Sequence, residues 1–152
     1  MTEALQQVSS GTFELPLAAV EAIWMFTPEG ERAWAAGWDP TYPTGRASEA
    51  AGTVFATSAN GVQTTWVIID IDRPHARASY ARVTPGHHAG TVRVECIDTR
   101  PGHCDVTVQY ALTAIDGAGP HVLEPHGPER FEEMMEAWAA AIEWYLTRHA
   151  AP

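Results

Sequence analysis

The sequence predicts an α+β fold in which a curved antiparallel sheet closes around a long C-terminal helix. Two observations carry this. From Thr53 onward apolar residues recur with period two, in segments separated by Asn60-Gly61, Arg73-Pro74, Pro85-Gly86 and Pro101-Gly102. Beyond them, Pro128 to Arg148 places Phe131, Met134, Met135, Trp138, Ile142 and Tyr145 on one stripe, with Glu132, Glu133, Glu136 and Glu143 opposite. A helix of about five turns with one apolar face needs a concave partner. The meander supplies it.

The elements follow in order. Val8 to Leu15 alternates weakly and predicts a first strand, ended by Pro16. Leu17, Val20, Ile23, Trp24 and Phe26 have helical spacing. Thr27 suits the cap of a second short helix, with Pro28 at its first position, Glu31 nearby, Trp34 along it and Gly37 at its end. Trp38 to Gly52 is a loop rich in Pro, Thr, Gly and Ala, of a length that often serves function. Strands follow at Thr53–Ser58, Gln63–Asp72, Ala76–Thr84, Gly90–Asp98 and Asp105–Ile115, joined by short turns into an antiparallel meander. Asp116 to Pro120 ends the last of them. No internal repeat, linker or low-complexity tract interrupts residues 1–152, so a single domain is expected.

Composition excludes several classes of partner. The formal net charge is −10, and nine arginines with no lysine supply all the fixed positive charge. Such a surface repels phosphate backbones and anionic lipid headgroups, so no nucleic acid and no membrane insertion are expected. No run approaches the length of apolar residues that spans a bilayer. Met1-Thr2-Glu3-Ala4-Leu5 lacks a basic region followed by an apolar one, and a cytoplasmic location is the expectation. A homodimer is the base-rate expectation for assembly. The two cysteines, Cys96 and Cys104, form no CxxC motif. A hairpin turning at Pro101-Gly102 sets them out of register, so both are expected reduced, with Cys96 as a small core residue.

The order of strand, two helices, meander and long helix is that of helix-grip proteins, and the local sequence agrees. The stretch Phe26-Thr27-Pro28-Glu29-Gly30-Glu31-Arg32-Ala33-Trp34-Ala35-Ala36-Gly37-Trp38-Asp39-Pro40 resembles a signature of bacterial SRPBCC proteins. So do Gly52-Thr53-Val54-Phe55, Thr65-Trp66 and Val106-Thr107-Val108-Gln109-Tyr110. Over essentially its whole length the chain resembles the START-like (SRPBCC) superfamily, which includes lipid carriers, hormone receptors and polyketide cyclase/dehydrase-type enzymes. The resemblance implies an internal cavity for a ligand. It does not choose among those functions. The cone-shaped α+β barrel of other cyclases is the competing fold, and the strong C-terminal helix argues against it.

In that architecture Trp34, Trp38, Phe55, Trp66, Tyr80, Tyr110 and Trp138 fall on elements that line the cavity, where aromatic walls suit a flat or apolar ligand. Each is equally at home in plain core packing. Met134 and Met135 would make an adaptable wall. The helix from Pro128 and the loop from Trp38 would gate the cavity.

Tyr80 and Arg82 share one face of their strand. Pointing inward, Arg82 is a buried cation that needs a partner and suits a carboxylate or enolate; pointing outward, it is a solvated strand residue. Arg93 and Glu95 are expected outside, with Val92, Val94 and Cys96 inside. Tyr80, Arg82 and Tyr110 are the candidate catalytic groups for proton transfer or oxyanion stabilisation. His87, His88, His121, Glu124 and His126 lie in turns that approach one end of the meander. No H-x-x-x-H or HExxH supports a metal, and none is expected. Asp70 and Asp72 share a face and would form an acid–base pair only if both lined the cavity. No cofactor motif is present. Three functions remain: a binding protein for a small hydrophobic or aromatic molecule such as a lipid or polyketide-like metabolite, a cyclase or aromatase using the same cavity, and a co-chaperone-like interaction module.

Overall fold

The computed structural model describes residues 5–149. The reading of Met1 to Ala4 lies outside them. Six strands form a single antiparallel sheet: β1 (Gln6–Leu15), β2 (Val54–Ala59), β3 (Val62–Asp72), β4 (Arg77–Thr84), β5 (His88–Arg100) and β6 (His103–Ala114). Their order is β1-β6-β5-β4-β3-β2, so the first strand closes the sheet beside the last. The C-terminal helix, α3, runs Pro128–Arg148 as expected and packs on β1. Among the described residues no helix is long and apolar enough to cross a membrane.

Alternation fixes which side chains face the helix. On β5, Val92, Val94 and Cys96 are buried while Arg93 and Glu95 are exposed. On β6, Val106, Val108, Tyr110 and Leu112 are buried opposite them, with Val92 paired to Tyr110 and Val94 to Val108. On β4 the inward set is Ala78, Tyr80, Arg82 and Thr84. Arg82 therefore lies inside, the outcome that alternation alone left open.

The helices between β1 and β2 are shorter than their spacing predicts. Helix α1 covers Ala19–Ala22 and tightens into a 3₁₀ turn at Ile23–Phe26; α2 covers only Pro28–Glu31. Thr27 divides them. It precedes a proline, takes an extended conformation (φ −84°, ψ 159°), and its hydroxyl accepts the Gly30 N–H, so it ends one helix and caps the next. After Glu31 the chain turns instead of continuing to Gly37. Trp34 Nε1 donates to the Met25 carbonyl (2.7 Å) and Trp38 Nε1 to the Pro28 carbonyl (2.8 Å), which wraps residues 32–38 around the corner. Tertiary bonds override helical propensity there. A 3₁₀ helix at Pro120–His126 fills the stretch between β6 and α3 that shows no period in sequence, and buries Leu123.

Cys96 pairs with Val106 and Cys104 with Asp98, two residues from facing each other. Both are free and buried. Burial raises both thiols, Cys104 to about 11, which disfavours the thiolate and fits core packing.

Candidate functional site

Between the sheet, the helical corner and α3 lies a cavity of about 270 Å³, at the small end of the range for ligand pockets. Its mouth is marked by the exposed residues Ala36, Gly37, Ser58 and Ala59. Two aromatic groups make its walls. On the β2–β3 side Phe55 and Trp66 lie parallel, 5.8 Å between centroids, with Trp38 and Tyr80 edge-on to both. On the other side Trp34 and Trp138 meet edge to face at 5.5 Å, and Phe26 packs on both. Trp34, Trp38, Phe55, Trp66, Tyr80, Arg82, Tyr110 and Trp138 all line this space.

Met134 and Met135 do not. Met134 packs against the core, and Met135 faces β1, close to Gly11. Trp138 alone represents α3 at the cavity wall, because the turn of helix carrying the methionines lies over β1. The loop from Trp38 to Gly52 is not a free gate either. Thr41 forms a bridge with Ala56, Arg32 holds Asp39 and the Pro40 carbonyl, Tyr42 donates to Glu29 (2.7 Å), and Arg73 grips Glu49 through two bonds of 2.8 and 2.7 Å. Only Trp38 of that loop reaches the cavity.

Most polar groups on the wall are already committed. Tyr80 donates its hydroxyl proton to the Phe26 carbonyl at 2.6 Å, and Trp66 donates to Thr57 at 2.9 Å. Thr64 and Thr84 bond each other at 2.7 Å. Tyr80 thus tethers the helical corner to the sheet, and its proton is not free for a ligand. Three groups are bound to no backbone atom and no opposite charge: the Arg82 guanidinium and the Tyr110 hydroxyl, which lie within reach of each other, and the Glu31 carboxyl.

Arg82 lies 4.7 Å above the Trp66 ring and 5.9 Å from that of Tyr110, so it bridges the two walls. No carboxylate pairs with it among the described residues, and its buried Nε has no partner. Burial lowers its pKa, yet a guanidinium stays charged. Burial lifts the neighbouring Tyr110 phenol to about 12, so it remains a neutral donor.

Glu31 is the group that sequence reasoning missed as a site residue. It lies in the capped first turn of α2, where an acid has an ordinary local explanation. Its half-buried side chain nevertheless lines the cavity, and burial alone raises its pKa to about 8. Neighbouring Arg32 is occupied by Glu29 and Asp39.

Behind Arg82, two of the candidate histidines meet. His88 and His126 have ring centroids 5.3 Å apart, and His126 stands 5.6 Å from the Tyr110 ring. Both nitrogens of His88 and Nδ1 of His126 are buried without a partner. Burial, followed by the Arg82 charge, lowers each to about 4, so both are neutral at pH 7. His87, His121 and Glu124 are exposed, and no group of three metal-ligating side chains exists among the described residues. The larger cluster does not form because adjacent His87 and His88 point to opposite sides of the strand start. Asp70 is exposed on the outer face, and Asp72 bonds His75 and lies near Arg77, so neither reaches the cavity.

No protein-family profile matches the chain, and no curated protein matches it in sequence. Solved structures do match in shape. Norcoclaurine synthase from Thalictrum flavum, in complex with dopamine and hydroxybenzaldehyde, superposes with a TM-score of 0.67 at 13% identity over 97% of this chain and 90% of its own. Ara h 8.0201 gives 0.68 at 13% identity over 95% and 99%. A protein from Thermobifida fusca gives 0.66 at 15% identity over 93% and 95%. The chain has the helix-grip fold of Bet v 1/SRPBCC-type proteins, as the sequence pattern predicts.

Proposed function

We propose that this protein binds a small, flat, anionic aromatic molecule in the cavity, with Arg82 holding its oxyanion. The observation that carries this reading is Arg82 itself, an inward cation between two aromatic rings with no carboxylate to neutralise it. A buried cation is stable only when something answers its charge. The protein answers it only with the Trp66 and Tyr110 rings and the Tyr110 hydroxyl, and with no carboxylate, so an anionic ligand completes the site. The volume of about 270 Å³ favours one or two rings over a long acyl chain, which narrows the range from lipids toward aromatic metabolites. Norcoclaurine synthase, a neighbour in fold, is in complex with two small aromatic molecules, which is consistent in size and aromatic character. An open cavity and scattered exposed apolar residues weigh against a co-chaperone-like module.

The test compares 2-naphthoate with the isosteric neutral 2-naphthamide by tryptophan fluorescence titration. The carboxylate is expected to bind more tightly, and Arg82→Met to weaken it about 10- to 100-fold while closing the gap to the amide. Equal affinities in the unaltered protein would exclude the anionic reading.

The cyclase or aromatase alternative gains from a different observation. A pure carrier needs few ionisable groups in its cavity, whereas this one holds Glu31 and Tyr110 beside Arg82.

A further inference from the structure

We propose that Glu31 is a proton-transferring group of this cavity, acting on a substrate that carries an acidic C–H beside a carbonyl whose oxygen lies at Arg82. The inference rests on the reading of Arg82 as the oxyanion holder and adds a reaction class to it.

The geometry supplies two opposite functional groups that do not neutralise each other. Glu31 enters from α2 at the helical corner, and Arg82 enters from β4 on the sheet; both line the same space. No ion pair joins them, and the carboxylates of Glu29, Asp39 and Glu49 are engaged elsewhere: Glu29 holds Arg32 and Tyr42, Asp39 holds Arg32, and Glu49 holds Arg73. The charged and titratable groups that share the cavity with Glu31 are Tyr80 and Arg82 from β4 and Tyr110 from β6. Tyr80 is bound to the Phe26 carbonyl, so it does not compete for the proton. A carboxyl and a guanidinium that form no ion pair and line one cavity can both reach a substrate held there.

The chemistry balances within the substrate. Glu31, when ionised, removes a proton from the carbon next to the carbonyl. The C–H electron pair moves into the C–C bond as the carbonyl π pair moves to oxygen, and Arg82 holds the resulting enolate oxygen. Return of the proton from Glu31 restores the carbonyl, or the enolate carbon attacks a second carbonyl in the same substrate and closes a ring. The ring-closing route consumes a proton at the new alkoxide, which the protonated Glu31 carries. Burial raises Glu31 to about 8, which suits a group that must both take and return a proton near neutrality.

Phenylpyruvate is the probe, since it offers a carboxylate, a carbonyl and an acidic benzylic CH₂. Its binding is read by tryptophan fluorescence, and loss of the benzylic signal in D₂O is followed by proton NMR against the uncatalysed rate. The expected result is exchange faster than background that rises with pH and levels off near 8, with Glu31→Gln slower by about 100-fold or more. Phenylpyruvate that binds but exchanges at the background rate overturns the role of Glu31 and leaves Arg82 as an anion holder. Phenylpyruvate and 2-naphthoate that both fail to bind overturn both readings. Exchange that persists in Glu31→Gln and disappears in Tyr110→Phe assigns the proton to the phenol and overturns the proposal. If Glu31→Gln does not fold, the pH profile of the unaltered protein decides: a rate with no plateau near 8 overturns it.

Discussion

At the scale of single residues, the cavity is defined by what its polar atoms already bond. Trp34, Trp38, Trp66 and Tyr80 all donate to protein acceptors, so their polar ends serve the fold and their faces serve the cavity. Tyr80→Phe leaves the Phe26 carbonyl buried without a donor. A loss of about 1–3 kcal/mol in urea unfolding is expected, with far less effect on naphthoate affinity than Arg82→Met. The histidines behind Arg82 give a second, pH-dependent prediction. His88 is only 6% exposed and titrates near 4 in the folded protein, against 6.5 as the ordinary value. The unfolded chain therefore takes up a proton below pH 6.5 that the folded chain refuses until about 4. Stability is complete above 6.5 and falls across that window, by roughly 3 kcal/mol for His88 at its lower end. Urea melts from pH 7 to 4 check this, and His88→Gln is expected to flatten the slope. Arg82 was visible in the sequence as a question and not as an answer. Its strand carries Tyr80 on one face and Val83 on the other, so hydrophobicity does not fix the side. Glu31 was hidden for a different reason: an acid in the first turn of a helix is already explained by the helix.

At the scale of elements, backbone contacts at two glycines hold the site in place. A Cβ on Gly30 would collide with the Trp24 carbonyl, so only glycine lets α2 fold back against the 3₁₀ turn and carry Glu31 to the cavity. A Cβ on Gly90 would collide with the Ala111 carbonyl, and Gly90 pairs with Arg82 on one side and Leu112 on the other. Alanine there must push β5 from β6. Gly90→Ala is expected to cost about 3 kcal/mol or more and to lower amide-exchange protection around residues 88–92 and 110–114. By contrast, Gly11 faces the side chain of Met135, 2.7 Å from the position a Cβ would take. The clashing atom is Cγ of a buried side chain, so Met135 must repack, and Gly11→Ala is expected to cost about 1–3 kcal/mol, less than a clash with backbone. The same distinction explains which elements the sequence revealed. Strands and α3 have long periods reinforced by turn residues, and they lie where the pattern puts them. The corner from Ala19 to Trp38 is too short for a period to dominate, and its course follows from indole and hydroxyl bonds to single carbonyls.

At the scale of the whole molecule, the helix-grip architecture follows from one amphipathic helix and one antiparallel meander, both evident in the sequence. The cavity is a consequence of that closure, but its chemistry is local. The molecule carries a formal charge of −10 while Arg82 offers an anion a buried cation. These act at different ranges. The net charge meets the ligand before contact: a unit anion about 20 Å from ten negative charges in water is repelled by roughly 2 kcal/mol without salt, and by about half that at 10 mM salt. Arg82 meets the ligand after desolvation, where salt screens little. Salt is therefore expected to speed association of 2-naphthoate, by about fivefold between 10 and 150 mM sodium chloride, and to leave dissociation nearly unchanged. Stopped-flow tryptophan quenching separates the two rates. Association that slows with salt would mean that the field at the mouth is positive and outweighs the net charge. Dissociation that quickens with salt would place the ligand's charge in solvent and away from Arg82.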